Sequence, residues 1–319
     1  DTLKIIDNHD FTNPIFLNVN FGAPHIPNEA PEESVLKFSY IENETRRIHA
    51  AMVHEMDNAI GEIIAALEKE NVLKNTIVMF ASDNGGLTPD VKLNPSFLVI
   101  PKKIGICKYD YRTGLTGLFL SMTLGSTKIL TWICENYSGG SSNKPLPEGK
   151  MSVSEGGIRV PAVIWWPGKF EYSKSENFIT MMDVLPTILD LINYKNEIEV
   201  DGVSRVSSLN DNDNSETSKY VVTNIINDKY AVIEMPYKLI TSADGDQLYN
   251  ILDDPSENLN IASENQEIVL ELKNTLSQWQ FGENRSLPIS AVFKDPDLFG
   301  GEEDRIPWIE KAFENAESK

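Results

Sequence analysis

The 319-residue sequence has few cysteines, few basic residues and no long apolar run, and each shortage excludes a class of protein. Cys107 and Cys134 allow one disulfide bond at most, so a disulfide framework is excluded while the redox compartment stays open. The sequence contains 28 Lys and Arg residues and 48 Asp and Glu residues, so its formal net charge at pH 7 is −20. A chain this acidic is poorly suited to bind nucleic acid or anionic lipid. Without an apolar run of membrane-spanning length, no transmembrane helix is predicted.

What the sequence does contain is typical of a globular protein with two domains. Hydrophobic residues make up 41% of the chain, and its length suits two domains at roughly 150 residues each. The polar run at residues 210–217 (NDNDNSET) is the best boundary. We therefore predict a first domain over residues 1–210 and a smaller second domain over residues 211–319.

The first domain has the alternation of helices and strands that is typical of α/β proteins. Apolar residues three and four apart predict a helix over 44–71, and an apolar stretch predicts a buried helix over 181–192. Apolar-rich stretches at 15–21, 76–81 and 158–166 predict buried strands, the last two within a sheet that helices cover on both faces. Polar loops follow the first two strands, where ligands of open α/β sheets gather.

The second domain and a long intervening segment have different patterns. Short apolar runs predict strands at 220–224, 230–234, 237–241 and 247–251, and a helix follows over 265–278, which indicates a small α+β domain. Residues 87–143 have no consistent period, and we interpret them as an insertion that is dispensable to the fold. The segment is either a genuine insertion or the product of a gene-model error such as a retained intron.

Three positions in the first domain have the residue types that catalysis on an anionic group requires. Asp83 and Asn84 precede two glycines and offer the oxygen ligands of a hard cation such as calcium, although the same residues also suit a simple turn. His25 lies in a loop bracketed by prolines, and it is either a functional residue or a histidine with a structural role only. Lys150 is either a solvated surface lysine or a point charge for an anion near the Gly-Gly turn at 156–157. His49 and His54, on the long predicted helix, are interpreted as packing or surface residues.

These weak signals gain weight from their order along the chain. The segments FGAPHIP (21–27), NTIVMFASDNGG (75–86) and PLPEGK (145–150), the last followed by EGGIRVP (155–161), resemble the sulfatase family. The resemblance covers almost the whole chain outside residues 87–143, and it is strongest to the arylsulfatase B-like branch.

The resemblance implies a fold, a reaction and a set of site residues. The implied fold is the α/β, alkaline-phosphatase-like sulfatase fold, with a mixed sheet between helices and a smaller C-terminal α+β domain. The implied reaction is hydrolysis of a sulfate ester, an aryl sulfate or a sulfated glycan such as an N-acetylgalactosamine sulfate. By resemblance, Asp83 and Asn84 are ligands of a calcium ion, and His25 and Lys150 are the catalytic residues that contact the sulfate. A lysosomal or secreted location also follows.

The sequence departs from the family pattern in ways that leave other functions open. Sulfatases form their formylglycine nucleophile from the cysteine of a C-x-P-S-R motif, which residues 1–319 do not contain. The usual Arg of the family's Pro-Leu-Arg-Gly segment before the lysine is also missing, with Pro147 and Glu148 there instead. We therefore expect the C-terminal part of a sulfatase, inactive and marginally stable by itself. The alternatives are a phosphohydrolase of the same superfamily and a non-catalytic, sulfatase-like binding protein.

Three sequons for N-glycosylation, at Asn43, Asn136 and Asn284, agree with a secreted or lysosomal glycoprotein. Such triplets also occur by chance, so the sequons alone favour that location only slightly.

Overall fold

The computed structural model describes residues 1–89, 139–175, 177–195, 199–210, 220–224 and 229–281. The chain divides into two compact units, the first comprising Asp1–Lys150 and Glu155–Asn214 and the second Met151–Ser154 and Ser215–Lys319. This division lies within the polar run at 210–217, and the domain limits given above stay a prediction. Most of the segment 87–143, including both cysteines, lies outside the described residues, and so do Asn136 and Asn284.

Helices form the N-terminal part of the first unit. They are α1 (Thr2–Asn8), α2 (Glu32–Lys37) and α3 (Glu44–Lys69). The spacing of apolar residues predicted α3, and its inner face buries Ala51, Met52 and Leu67. Helix α3 begins at Asn43, whose side chain accepts a hydrogen bond from the backbone N–H of Arg46 and so caps the helix.

A two-stranded antiparallel sheet follows in the same unit. After a short 3₁₀ helix (Leu73–Asn75), strand β1 (Val78–Ala81) pairs with β2 (Ala162–Trp165), and one helical turn, α4 (Glu155–Ile158), precedes β2. Both strands lie within the predicted runs 76–81 and 158–166. The prediction of a strand over 15–21 is wrong, because those residues form no ladder, and an apolar run becomes a strand only when a partner supplies its hydrogen bonds.

The prediction that these strands are buried on both faces is also wrong for the described residues. Exposure runs from 36% of the Phe80 side chain to 60% of Val163, and Met79 and Trp165 are similarly exposed. The apolar composition of a strand indicates that its side chains could be buried, but it does not show which residues pack over the strand. The pair therefore presents an apolar surface, and the marginal stability of residues 1–319 by themselves stays a prediction.

In the last part of the first unit, apolar residues of a helix that was predicted to be buried are exposed, and two polar residues are buried instead. A 3₁₀ turn (Met181–Asp183) leads into α5 (Val184–Leu191), and α6 (Val206–Asn210) lies beyond it. Leu185 and Met181 are exposed, whereas the polar residues Asp183 and Thr187 are buried. The reason is a polar network, in which these two side chains bind the backbone of the segment that precedes α6.

The second unit agrees with the predicted order of elements. Strands β3 (Tyr220–Asn224), β4 (Lys229–Glu234), β5 (Tyr237–Ser242) and β6 (Gly245–Asn250) form an antiparallel meander, and helix α7 (Gln266–Phe281) follows. The core of this unit is apolar and consists of Val232, Leu239, Leu248, Ala262, Val269, Leu272 and Leu276. Helices and antiparallel strands thus share one core, as the α+β interpretation requires. None of the helices in the described ranges has the length and apolar character that crossing a membrane requires.

Candidate active site

The loop after β1 contains the two predicted metal ligands. Oδ1 of Asp83 accepts a hydrogen bond from the backbone N–H of Asn84 at 2.9 Å, and Nδ2 of Asn84 donates to the carbonyl of Gly85 at 3.0 Å. These bonds make the segment a turn, as the simpler interpretation expected. They leave the second oxygen of Asp83 and Oδ1 of Asn84 without a partner among the described residues, so the turn still presents two hard oxygen ligands.

The structure brings this loop together with the loop of Lys150. The backbone N–H of Gly86 donates to Oδ1 of Asn143 at 2.9 Å, and the carbonyl of Gly86 accepts from Nδ2 of Asn143 at 2.9 Å and from the backbone N–H of Lys150 at 3.1 Å. The Lys150 side chain is half-buried, and no acidic group in the described ranges pairs with its ammonium. The backbone of Lys150 is therefore held next to the loop that carries Asp83 and Asn84.

A third loop, at the start of α4, completes the arrangement. The backbone N–H of Gly85 donates to the carbonyl of Gly157 at 2.8 Å, and that of Gly156 donates to the carbonyl of Pro147 at 2.9 Å. A Cβ atom on Gly85 would overlap the carbonyl oxygen of Gly156, and one on Gly156 would overlap that of Pro147. The glycines are required because the three backbones approach too closely for any side chain.

Replacing Gly85 with alanine is therefore expected to destabilise the first unit, by about 1–3 kcal/mol as for other overpacking substitutions. Gly61→Ala is the matched control, because Gly61 lies on an exposed face of α3 and a Cβ atom there would have no neighbour within 4 Å. There alanine is expected to stabilise by about 0.5–1 kcal/mol through its helix propensity. Urea unfolding of both variants measures the difference, and equal effects would contradict the described loop packing.

Helix α3 binds Gly140 and Ser141, near the start of the described range 139–175. Nη1 of Arg46 donates to the carbonyl of Gly140 at 2.9 Å, and Nε2 of His49 lies 3.2 Å from Oγ of Ser141 in a hydrogen bond. Burial, followed by the nearby positive charge of Arg46, lowers the pKa of His49, so the ring is neutral at pH 7. The backbone N–H of Ser141 also donates to the carbonyl of Leu87, at 3.0 Å. The two described ends of the predicted insertion are thus part of the site, and a dispensable segment would have to lie between them.

His25 lies in a separate turn. Its backbone N–H donates to the carbonyl of Gly22 at 2.9 Å, and Nδ1 lies 2.6 Å from the carbonyl oxygen of Ile26. Since a carbonyl only accepts, Nδ1 carries the proton and Nε2 faces away from this bond. The side chain is exposed, and its described contacts stay within residues 22–26. The described hydrogen bonds therefore join the loops of Asp83, Asn84 and Lys150, and none of them links His25 to these loops.

Sequence reasoning missed the residues that hold the loops together. Asn143 precedes Lys-Pro in a Ser-rich stretch and looks like an ordinary turn residue, and Ser141 gave no signal at all. His49 was interpreted as a packing or surface residue, and it is half-buried with a specific polar partner. Only the close spacing of glycines at 85–86 and 139–140 indicated that backbones approach one another here.

Comparisons with known proteins place this arrangement in a family. The family described as Sulfatase matches residues 1–194, and the family described as N-sulphoglucosamine sulphohydrolase, C-terminal, matches residues 149–281. An uncharacterised sulfatase of Schizosaccharomyces pombe is 32% identical over 148 residues, which cover 46% of this chain and 24% of that protein. An N-acetylgalactosamine-6-O-sulfatase of Bacteroides thetaiotaomicron is 23% identical over 243 residues, 70% of this chain and 40% of the relative.

A solved structure gives the same result at the level of the fold. The crystal structure of Ps i-CgsB in complex with k-i-k-neocarrahexaose has a TM-score of 0.68 and 23% sequence identity, and the match covers 98% of this chain and 59% of that one. The chain belongs to the sulfatase family, and the predicted α/β, alkaline-phosphatase-like sulfatase fold is confirmed. It spans between 24% and 40% of the length of the curated relatives named above.

Sulfatases generally bind a divalent metal ion, and the described residues fit such an ion only in part. Asp83 and Asn84 offer one carboxylate and one amide oxygen, which are the ligand types of hard cations. In the described ranges no group of three or more His, Cys, Asp or Glu side chains is arranged to hold a metal ion. The turn therefore offers two oxygen atoms of the type that calcium binds, whereas a calcium ion takes six to eight.

Proposed function

We propose that the protein is a calcium-dependent sulfuric ester hydrolase, to which this chain contributes part of the active site. The observation that carries the proposal is the joining of the Asp83–Asn84 turn to the Lys150 loop through the hydrogen bonds of Gly86. The three residues Asp83, Asn84 and Lys150, which the family resemblance assigns to the metal and the sulfate, thereby lie on loops that hydrogen bonds join. The family match supports the same reaction.

The assigned roles follow from the chemistry of the side chains. Asp83 and Asn84 would hold the calcium ion, which when bound neutralises part of the charge on a sulfate group. Lys150 would contact a sulfate oxygen as a point charge that no described acidic group neutralises. His25, whose Nδ1–H is used by the Ile26 carbonyl, would contact the ester oxygen through Nε2 as a donor when both ring nitrogens carry protons. Because the net charge of −20 repels an anionic substrate, such local cations are needed to hold one.

The proposed substrate is a sulfated glycan, an N-acetylgalactosamine sulfate or a related ester. Support comes from the Bacteroides relative, which is named as an N-acetylgalactosamine-6-O-sulfatase. A lysosomal or secreted glycoprotein is proposed as well. Asn43 is exposed, and its Oδ1 alone is used in capping α3, so its Nδ2 has no described partner and can carry a glycan.

The metal assignment predicts a localised response to Mn²⁺, used as a paramagnetic probe of hard-cation sites. In residues 1–319, substoichiometric Mn²⁺ is expected to broaden the amide signals of Gly85 and Gly86, with excess Ca²⁺ restoring them. Asp83→Asn retains Oδ1 for the turn but removes the charge, so it should weaken the effect about tenfold or more. Asp244→Asn, an exposed carboxylate in the second unit, is the control. Broadening that ignores Asp83→Asn would contradict the metal assignment.

A further inference from the structure

The Asn143 side chain uses all of its hydrogen-bonding groups on two loops of the candidate site. Its Oδ1 accepts from the N–H of Gly86 at 2.9 Å, and its Nδ2 donates to the carbonyl of Gly86 at 2.9 Å and to that of Glu148 at 3.0 Å. One side chain therefore satisfies both backbone groups of Gly86 together with a carbonyl of the opposite loop.

The two loops are those that carry the assigned chemistry. Gly86 lies two residues after Asn84, and Glu148 lies two residues before Lys150. The carbonyl of Gly86 accepts a second hydrogen bond, from the backbone N–H of Lys150 at 3.1 Å. The backbone N–H of Lys150 is thus tied to the Asp83–Asn84 loop through the carbonyl of Gly86, and Asn143 binds both the N–H and the carbonyl of that residue.

The backbone of the Lys150 loop packs closely against the Asn143 side chain. A Cβ atom on Gly149 would lie 2.5 Å from Nδ2 of Asn143 and would overlap the carbonyl oxygen of Gly86. Glu148 adopts the left-handed conformation, with φ of 57°, which a residue with a Cβ atom takes only when its surroundings hold it there. The bond from Asn143 to the Glu148 carbonyl is one of the contacts that hold it.

Building on the proposed function, we propose that Asn143 is a positioning residue, which fixes the metal-ligand turn and the sulfate-contacting lysine in one geometry. It acts through Gly86 and does not touch the substrate. An asparagine is required because one planar group has to accept one hydrogen bond, from the Gly86 N–H, and donate two, to the carbonyls of Gly86 and Glu148. An aspartate has the same shape and keeps the acceptor for the Gly86 N–H, but it turns an oxygen toward two carbonyl oxygens.

The test compares Asn143→Ala and Asn143→Asp with a matched control in the second unit. Asn260 makes a similar clamp, its Oδ1 accepting from the N–H groups of Leu248 and Ala262 at 3.0 Å and its Nδ2 donating to the carbonyl of Asp246 at 3.4 Å. Asn260→Asp therefore also replaces an amide donor with an oxygen, but away from the site. Two readouts are measured on residues 1–319: hydrogen exchange of the Lys150 amide, and the Mn²⁺ concentration that half-broadens the Gly85 amide. The unchanged exchange of the Leu248 amide in both Asn143 variants verifies that the second unit is folded.

The expected result is that both Asn143 variants lose protection at Lys150 and need about tenfold more Mn²⁺, whereas Asn260→Asp changes neither. The gain of a negative charge in Asn143→Asp would by itself favour the cation, so weaker binding there is diagnostic of lost geometry. Unchanged Lys150 protection in both variants overturns the positioning role alone. If Mn²⁺ leaves the Gly85 amide of the unsubstituted chain unaffected, the proposed metal function fails, and the positioning role fails with it.

Discussion

Residues 1–319, produced as a separate polypeptide, are expected to hydrolyse an aryl sulfate such as 4-nitrophenyl sulfate no faster than buffer with Ca²⁺. Sulfatases attack the ester with a formylglycine made within a C-x-P-S-R motif, and the sequence contains none. Cys107 is followed by Lys-Tyr-Asp-Tyr and Cys134 by Glu-Asn-Tyr-Ser, so neither cysteine has the required context. In a hydrolase, loss of the nucleophile costs on the order of 10⁶ in kcat, because Lys150 and His25 then have no covalent step to assist.

The assay needs a positive control and a variant. A complete arylsulfatase at the same concentration shows that the conditions support turnover. His25→Ala serves as the variant, because it removes a proposed catalytic side chain from an exposed turn whose loss should leave the fold intact. Hydrolysis that copurifies with the chain and survives His25→Ala would show that the catalytic residues have been assigned wrongly.

Replacing Asp183 with alanine is expected to lower the free energy of unfolding by about 3–5 kcal/mol, as for other buried ion pairs that lose one partner. Asp183 is fully buried, and its Oδ2 accepts from the N–H of Thr180 at 3.0 Å and from Nε of Arg205 at 3.1 Å. Its Oδ1 accepts from the N–H of Val203 at 3.0 Å. The variant would leave buried donors and a buried guanidinium without this acceptor.

Two further variants make the Asp183 experiment specific. Asp190→Asn changes an exposed carboxylate in the following helix α5, whose described side-chain hydrogen bond is to Ser204, so its effect should stay within about 0.5 kcal/mol. The double variant Asp183→Ala/Arg205→Met should be less destabilised than Asp183→Ala, because it also removes the buried charge. Urea unfolding measures all three, and a change below about 1 kcal/mol for Asp183→Ala would contradict the described network.

The parts of the fold that followed from sequence are those governed by local pattern. The spacing of apolar residues predicted α3, and alternation with turn residues predicted β3 to β6, because those elements bury their apolar faces within their own unit. The burial of β1 and β2 was mispredicted, since exposure depends on what packs over a strand. Asp183 was overlooked in an apolar run for a similar reason, because its partners lie about twenty residues further along the chain.

The candidate site shows the same division between local and long-range information. Asp83, Asn84 and Lys150 were identifiable because the motifs around them resemble one family. The hydrogen bonds that join them span 57 residues between Gly86 and Asn143, and no local pattern indicates such a pairing. His25 was assigned by resemblance alone, and its role stays a proposal because its described contacts are confined to its own turn.

The most direct test of the central claim, that Lys150 and the Asp83–Asn84 turn belong to one sulfatase active site, is a turnover measurement with a matched pair of lysine variants. It uses a polypeptide from the protein's own coding sequence that joins residues 1–319 to a segment with C-x-P-S-R. Lys150→Ala should reduce kcat for an aryl sulfate by about 10²–10³-fold, as when one group that stabilises transition-state charge is lost. Lys169→Ala, an exposed lysine next to Trp166, should leave kcat unchanged. Equal activity of the two variants, or a coding sequence without that motif, would contradict the claim.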